Sequence, residues 1–275
     1  MSEVWKILLV FLLLYLLFGR FVYPALLPVS WRPRHRGGKF KQATTLQTKT
    51  PPQMMQLPPT FDWRHKLQFE VPSQGACGAC WALVPTIALQ KRFELLGQSI
   101  PPLSAQYLLD CEQYCSDISN VESCDEGCTG GLLDHSWQFL KENGVPSESV
   151  LPYRGYTQQC RQLPENTRMY RAAEIYKVPS NVGAIKSEIA SNGPVTAGME
   201  AFSCFANFRG KGHYAKERGT SAIGAHAVVL IGWDQQGWVG VNVWDKSWGD
   251  DGYFRIKYGE CGIENGVVAG TPLTR

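Results

Sequence analysis

Nine cysteines constrain this 275-residue chain more than any other feature, and seven of them, Cys77, Cys80, Cys111, Cys115, Cys124, Cys128 and Cys160, fall within residues 77 to 160. Cys204 and Cys261 complete the set. Cysteine at this density behind an apolar N-terminal run points to an oxidising compartment and a disulfide framework. An odd total leaves at least one thiol unpaired, and that thiol is a candidate for reactivity. With 44% hydrophobic and 19% charged residues the composition is that of a globular protein, and the length allows one large or two modest domains with a real core.

The apolar run extends from Ile7 to Gly19 (ILLVFLLLYLLFG), flanked by Lys6 and Arg20, and a second apolar patch from Phe21 to Trp31 is broken by Pro24 and Pro28. The first run alone suits a signal-peptide core better than a full span of about 20 residues. No small-x-small cleavage site follows it, so residues 1–31 are read as an uncleaved single-pass anchor, with a cleaved signal and secretion as the alternative. Counting flanking Lys and Arg places the C-terminal side in the cytosol. The cysteines place it in a lumenal, lysosome-like or extracellular compartment, and they outweigh the charge count.

Net charge is +3, but residues 1–56 hold eight bases against Glu3 alone, which leaves 19 bases and 23 acids, a net of −4, for residues 57–275. An acidic folded part lacks the clustered base that phosphate binding requires, so a nucleic-acid partner is excluded. Residues 32–56 are basic and Pro/Gln-rich and read as a linker or short prosegment with no periodicity to sustain a helix or strand. Helical spacing predicts helices over 79–96, 103–111 and 132–143, with Pro85 removing the bond to the Trp81 carbonyl and kinking the first. From about Arg171 the texture turns to β runs at 194–199, 227–232, 237–244 and 253–257. The expectation is an α+β fold with a helical half (57–170), a β half (171–275) and a cleft between them.

Gln74 to Ala82 reads QGACGACWA. A thiol in the first turn of a helix meets the positive end of the backbone dipole, which lowers its pKa and supplies thiolate. The same C-x-x-C also fits a redox dithiol or half of a zinc site. Taken with the downstream GCTGG (127–131), GAHAVVLIGW (224–233) and WGDDGYFRI (248–256), the segment resembles the papain family of cysteine peptidases, from about Leu57 onward. The ending CGIENGVVAGTP (261–272) and MEAF (199–202) resemble the cathepsin B branch. The resemblance implies the papain-like fold, a helical left half and an antiparallel β-barrel right half.

It also implies roles. Cys80 matches the nucleophile, His226 its general base and acid, Asn242 the residue orienting the histidine, and Gln74 the side-chain donor of the oxyanion hole. KSWG at 246–249 invites a register that would put Lys246 in the asparagine's place, and a cation cannot accept an imidazole N–H. The two tryptophans of the family pattern, Trp244 and Trp248, restore Asn242, sixteen residues after His226, and shield the histidine–asparagine bond. His35, His65, His135 and His213 match no motif and are read as structural. The implied disulfides are Cys77–Cys128 and Cys111–Cys160, with Cys115–Cys124 as a local bridge. Cys77 bonded to Cys128 excludes a redox dithiol.

The resemblance makes Gly130 and Gly131 the backbone that pairs with an extended substrate. Leu132, Leu133, Ala201, Ala225 and Ala227 become the walls of the P2 pocket, with Gly266 at its base. The cathepsin B branch carries a glutamate there, so Gly266 implies an apolar P2 preference. No histidine-bearing insertion lies between Leu132 and Gln158, which implies endopeptidase action on polypeptides. Cystatin-type inhibitors are candidate partners, a monomer is expected, and no cofactor or metal is required. The rival reading is a catalytically silent peptide-binding protein on the same fold.

Overall fold

The computed structural model describes residues 41–52, 56–117 and 124–274. The expected anchor at 1–31 lies outside the described residues. Among those described, no helix is long and apolar enough to cross a membrane.

The first helix, α1 (Cys80–Leu95), buries Trp81, Leu83, Val84, Ala88, Leu89 and Phe93 on all its faces. A helix apolar all round belongs in a core, and even its Arg92 is buried. That guanidinium pairs with Glu188 at 2.8 Å and donates to the Pro194 and Gly270 carbonyls. The far end of α1 is thereby bolted to the β half. Helix α2 (Ala105–Cys111) starts where the Ser104 hydroxyl accepts from the Tyr107 N–H. Helix α3 (Leu133–Glu142) ends before Gly144, which stands at φ 72°.

Residues 41–52, read from sequence as a tether, lie against this body. β1 (Lys41–Gln42) pairs in parallel with β3 (Tyr114–Cys115), and Lys49 reaches Glu174. The short β2 (Phe61–Asp62) follows.

The remaining strands are β4 (Ala172–Lys177), β5 (Val195–Phe202), β6 (His213–Tyr214), β7 (Ala222–Trp233), β8 (Gly237–Val241), β9 (Tyr253–Lys257) and β10 (Gly266–Pro272). They hydrogen-bond in the order β4-β10-β5-β7-β8-β9-β6, with β2 on β7, antiparallel except for β6 against β9. Strand periodicity decides how this sheet serves two cores. Ala227, Val229 and Ile231 of β7 face the core built on α1, while Val228 and Leu230 face the second core. Strands β4 and β10 and the helix α4 (Val182–Asn192) are additions to the expected elements. The signals for α4 are local: Asn181 caps it by accepting from the Ala184 N–H, Ile185 and Ile189 are buried one turn apart, and Gly193 stops it.

Candidate active site

Cys80 is the first residue of α1, and no side chain caps that helix end. The approach to it is held from one side. Cys77 is disulfide-bonded to Cys128, the Gly78 N–H donates to the Cys128 carbonyl, and the Trp81 indole donates to the Gly127 carbonyl. Cys111–Cys160 and Cys115–Cys124 are the other two bridges, so Cys80, Cys204 and Cys261 are free.

Pro85 leaves α1 unbroken from Cys80 to Leu95. The Trp81 carbonyl that it deprives of a helical donor accepts instead from Ser136 Oγ on α3, at 2.7 Å. The Leu132 carbonyl, also within reach of that hydroxyl, already takes the Ser136 N–H.

His226 stands on β7, buried, with Nε2 and Asn242 Oδ1 2.8 Å apart. Asn242 is wholly buried just past the end of β8; its N–H donates to the Gly252 carbonyl and its Oδ1 also accepts from the Val243 N–H. An acceptor oxygen fixed in this way makes Nε2 the protonated ring nitrogen and leaves Nδ1 for proton exchange. Lys246 is exposed on the following turn, away from this pair. Trp244 stacks on the His226 ring at 4.4 Å between centroids. Trp248 does not touch the histidine; it meets Trp244 edge-on at 5.5 Å and acts through it. Phe205, fully buried against Trp244, Trp248 and His226, completes the aromatic wall. No motif marked it, because its role comes from packing alone.

The cysteine and the histidine strand share one groove, lined by Cys80, His226 and Ala227, the residue next along β7. Burial pushes the Cys80 thiol up, against the N–H groups of Ala227, Trp81 and Cys80, which pull it down. The lowering expected from the helix terminus is therefore outweighed by desolvation. Burial likewise lowers the His226 imidazole to about 4, opposed by Asn242. Burial thus favours the neutral form of both groups. Passing a proton from sulfur to nitrogen would keep the pair's net charge at zero, with Asn242 Oδ1 placed to accept from the imidazolium. Cys204 differs from both: burial raises it, but the Thr220 and Tyr214 hydroxyls lower it further, and its thiol falls below the ordinary range.

Gln74 is pinned at four points. Its N–H donates to the Val243 carbonyl, its carbonyl accepts from Tyr153, its Oε1 accepts from the Trp244 indole at 3.1 Å, and its Nε2 donates to the Cys77 carbonyl at 2.9 Å. A primary amide carries two N–H donors, so one remains uncommitted on a side chain that lines the groove.

That groove, of about 1190 Å³, is lined by Cys80, His226, Gln74 and Trp244 together with all eight residues expected to bind substrate. Gly130 lies at φ 133°, and a Cβ on Gly131 would come 2.5 Å from the Trp81 ring, so the backbone here is bare and close to the cysteine helix. Ala201 and Ala227 are buried, Ala225 is exposed, and Leu132 is 48% exposed. The sequence reading omitted the polar part of the wall: Asp134 paired with Lys177 at 2.7 Å, and Glu200. The groove is therefore not lined by apolar residues alone.

A model of the papain family of cysteine proteases matches residues 57–271. The chain is 32% identical over 230 residues to probable cysteine protease RD19D of Arabidopsis thaliana, covering 78% of this chain and 61% of that protein. It is 31% identical to procathepsin L of Rattus norvegicus, covering 83% and 69%. A procathepsin B from Trypanosoma congolense superposes with a TM-score of 0.72 at 26% identity, covering 84% of each chain. A free thiol at a helix start, sharing one groove with a histidine bonded to a buried asparagine, and a family match over residues 57–271, together show that the chain belongs to the papain family of cysteine proteases.

Proposed function

We propose that the protein is a cysteine endopeptidase, in which Cys80 forms an acyl-enzyme with an extended polypeptide and water then hydrolyses it. The observation that carries this reading is that the free thiol of Cys80, at the start of α1, lines one groove with His226, which is held by Asn242 at 2.8 Å. As the sulfur attacks the scissile carbonyl, His226 takes its proton through Nδ1 and then delivers it to the leaving amine. The oxyanion meets the Cys80 N–H and the uncommitted N–H of Gln74 Nε2. The substrate backbone lies along Gly130 and Gly131 as an added strand.

Gly266, which lines the same groove as Leu133 and Ala201 and brings no charge of its own, supports an apolar P2 preference. The ending at 261–272, MEAF at 199–202 and the likeness to a procathepsin B support a place in the cathepsin B branch. The domain reading is a short segment at 32–56 ahead of the peptidase domain at 57–275, and three disulfides support a lumenal or extracellular setting for that domain. Membrane attachment through residues 1–31 rests on the apolar run alone.

Fluorogenic Phe-Arg and Arg-Arg peptides test the assignment. Cleavage that is faster for Phe-Arg and abolished in Cys80→Ala is the expected result. Turnover that survives Cys80→Ala would overturn it. The modified residue after a peptidyl epoxide should be mapped to Cys80, because Cys204 carries the lower thiol pKa.

A further inference from the structure

Three groups of the helical half come together away from the groove floor. Glu112 follows α2, Asp125 follows Cys124, and His135 lies on α3; they are 4%, 4% and 2% exposed, and one ligand atom of each lies within 4.8 Å of the others. Each group is anchored by one atom and left unpaired at another. Glu112 Oε1 accepts from the Tyr114 N–H, Asp125 Oδ1 accepts from the Leu132 N–H, and His135 Nε2 lies 3.2 Å from Ser116 Oγ. Glu112 Oε2, Asp125 Oδ2 and His135 Nδ1 are buried without a hydrogen-bond partner. His135 Nδ1 stands 3.0 Å from Asp125 Oδ1 without hydrogen-bonding geometry. Buried polar atoms are seldom left unpaired, and three converging at one point call for a shared partner.

We propose that Glu112, Asp125 and His135 form a binding site for a divalent cation of the zinc class, with Glu112 Oε2, Asp125 Oδ2 and His135 Nδ1 as ligands. One imidazole nitrogen and two carboxylate oxygens are a donor set for Zn²⁺, with a fourth position left for water. The outer contacts suit the role: Ser116 Oγ can accept the Nε2–H of the tautomer whose Nδ1 lone pair is free, and a backbone N–H orients each carboxylate. The Cys115–Cys124 bridge and the bond from the Asp125 N–H to the Tyr114 carbonyl bring the two acids together before any ion arrives.

The site does not depend on the peptidase assignment. It braces the groove wall, because Asp125 also holds the Leu132 N–H.

The test uses the full chain with Cys80 blocked by an epoxide, stripped with a chelator and titrated with Co²⁺ and Zn²⁺. The expected result is one ion per chain, a visible d–d band for Co²⁺ without thiolate charge transfer, and an unfolding temperature that rises with Zn²⁺. Ser116→Ala, which keeps all three ligands, should weaken binding about tenfold to a hundredfold. Asp125→Asn should abolish the band. No d–d band and no Zn²⁺-dependent thermal shift in the wild-type chain would mean that the two acids merely share a proton, and would overturn the proposal whatever the variants do. A thiolate charge-transfer band, or undiminished binding in Asp125→Asn, would place the ion at Cys204 or Cys261 and overturn it equally.

Discussion

Ser136 Oγ donates to the Trp81 carbonyl at 2.7 Å, in the place where the helix that begins with Cys80 lacks its own donor because of Pro85. A proline one turn behind a nucleophile would expose a buried acceptor. Here α3 supplies the missing hydrogen, so the first turn of α1 is held by a side chain from outside it.

Ser136→Ala should therefore cost about 1–3 kcal/mol, the range for leaving a buried acceptor unpaired. In a Pro85→Ala background the restored N–H can reach Trp81, and the same substitution should cost less. Urea unfolding of the four proteins gives the coupling. Equal costs in both backgrounds would show that Ser136 acts through something other than this carbonyl.

In the proposed mechanism, removing the Gln74 amide deletes one of two oxyanion donors. Gln74→Ala should lower kcat about a hundredfold to a thousandfold with KM little changed. A rise in KM at constant kcat would instead assign Gln74 to ground-state binding.

His226 ties stability to pH. Its folded pKa, about 4, is below its ordinary value of 6.5, so neutral His226 contributes fully above about 6.5. As pH falls the unfolded chain takes up the proton first, and the contribution is lost by about 4. The difference between wild type and His226→Gln should shrink by about 3 kcal/mol across that window. Denaturant midpoints measured at intervals from pH 4 to 7 check it, and a flat difference would contradict the burial argument.

Gly266 has ordinary backbone torsions, and a Cβ there would sit 3.4 Å from the Gly198 backbone, at the edge of normal contact. Gly266→Glu should raise cleavage of Arg-Arg relative to Phe-Arg substrates about tenfold, the effect of roughly 1.4 kcal/mol of partly screened attraction. An unchanged ratio would place the P2 pocket elsewhere in the groove.

Much of the site was legible in the chain before folding. QGACGACWA, GAHAVV and the two tryptophans point, through the family resemblance, to Gln74, Cys80, His226 and Asn242; Gln74, Cys80 and His226 line one groove, and the 2.8 Å contact from His226 falls on Asn242 and not on Lys246. The signals for α4, Asn181, Gly193 and the Ile185/Ile189 pair, are weak beside the β texture of the residues around them.

What the sequence determined by itself is the set of segments that strand and helix periodicity, caps and turns specify within about 20 residues, together with the identities of the reacting groups. Tertiary structure alone decided the rest. It reversed the expected direction of the Cys80 pKa, because desolvation depends on what the β half lays over the helix start and not on the helix itself. It assigned Ser136 to Trp81, Phe205 to the histidine wall, and His135 to two acids from another loop. Each of these is a contact between segments distant along the chain, and such contacts are set by how the packed layers close, which no local pattern of residues encodes.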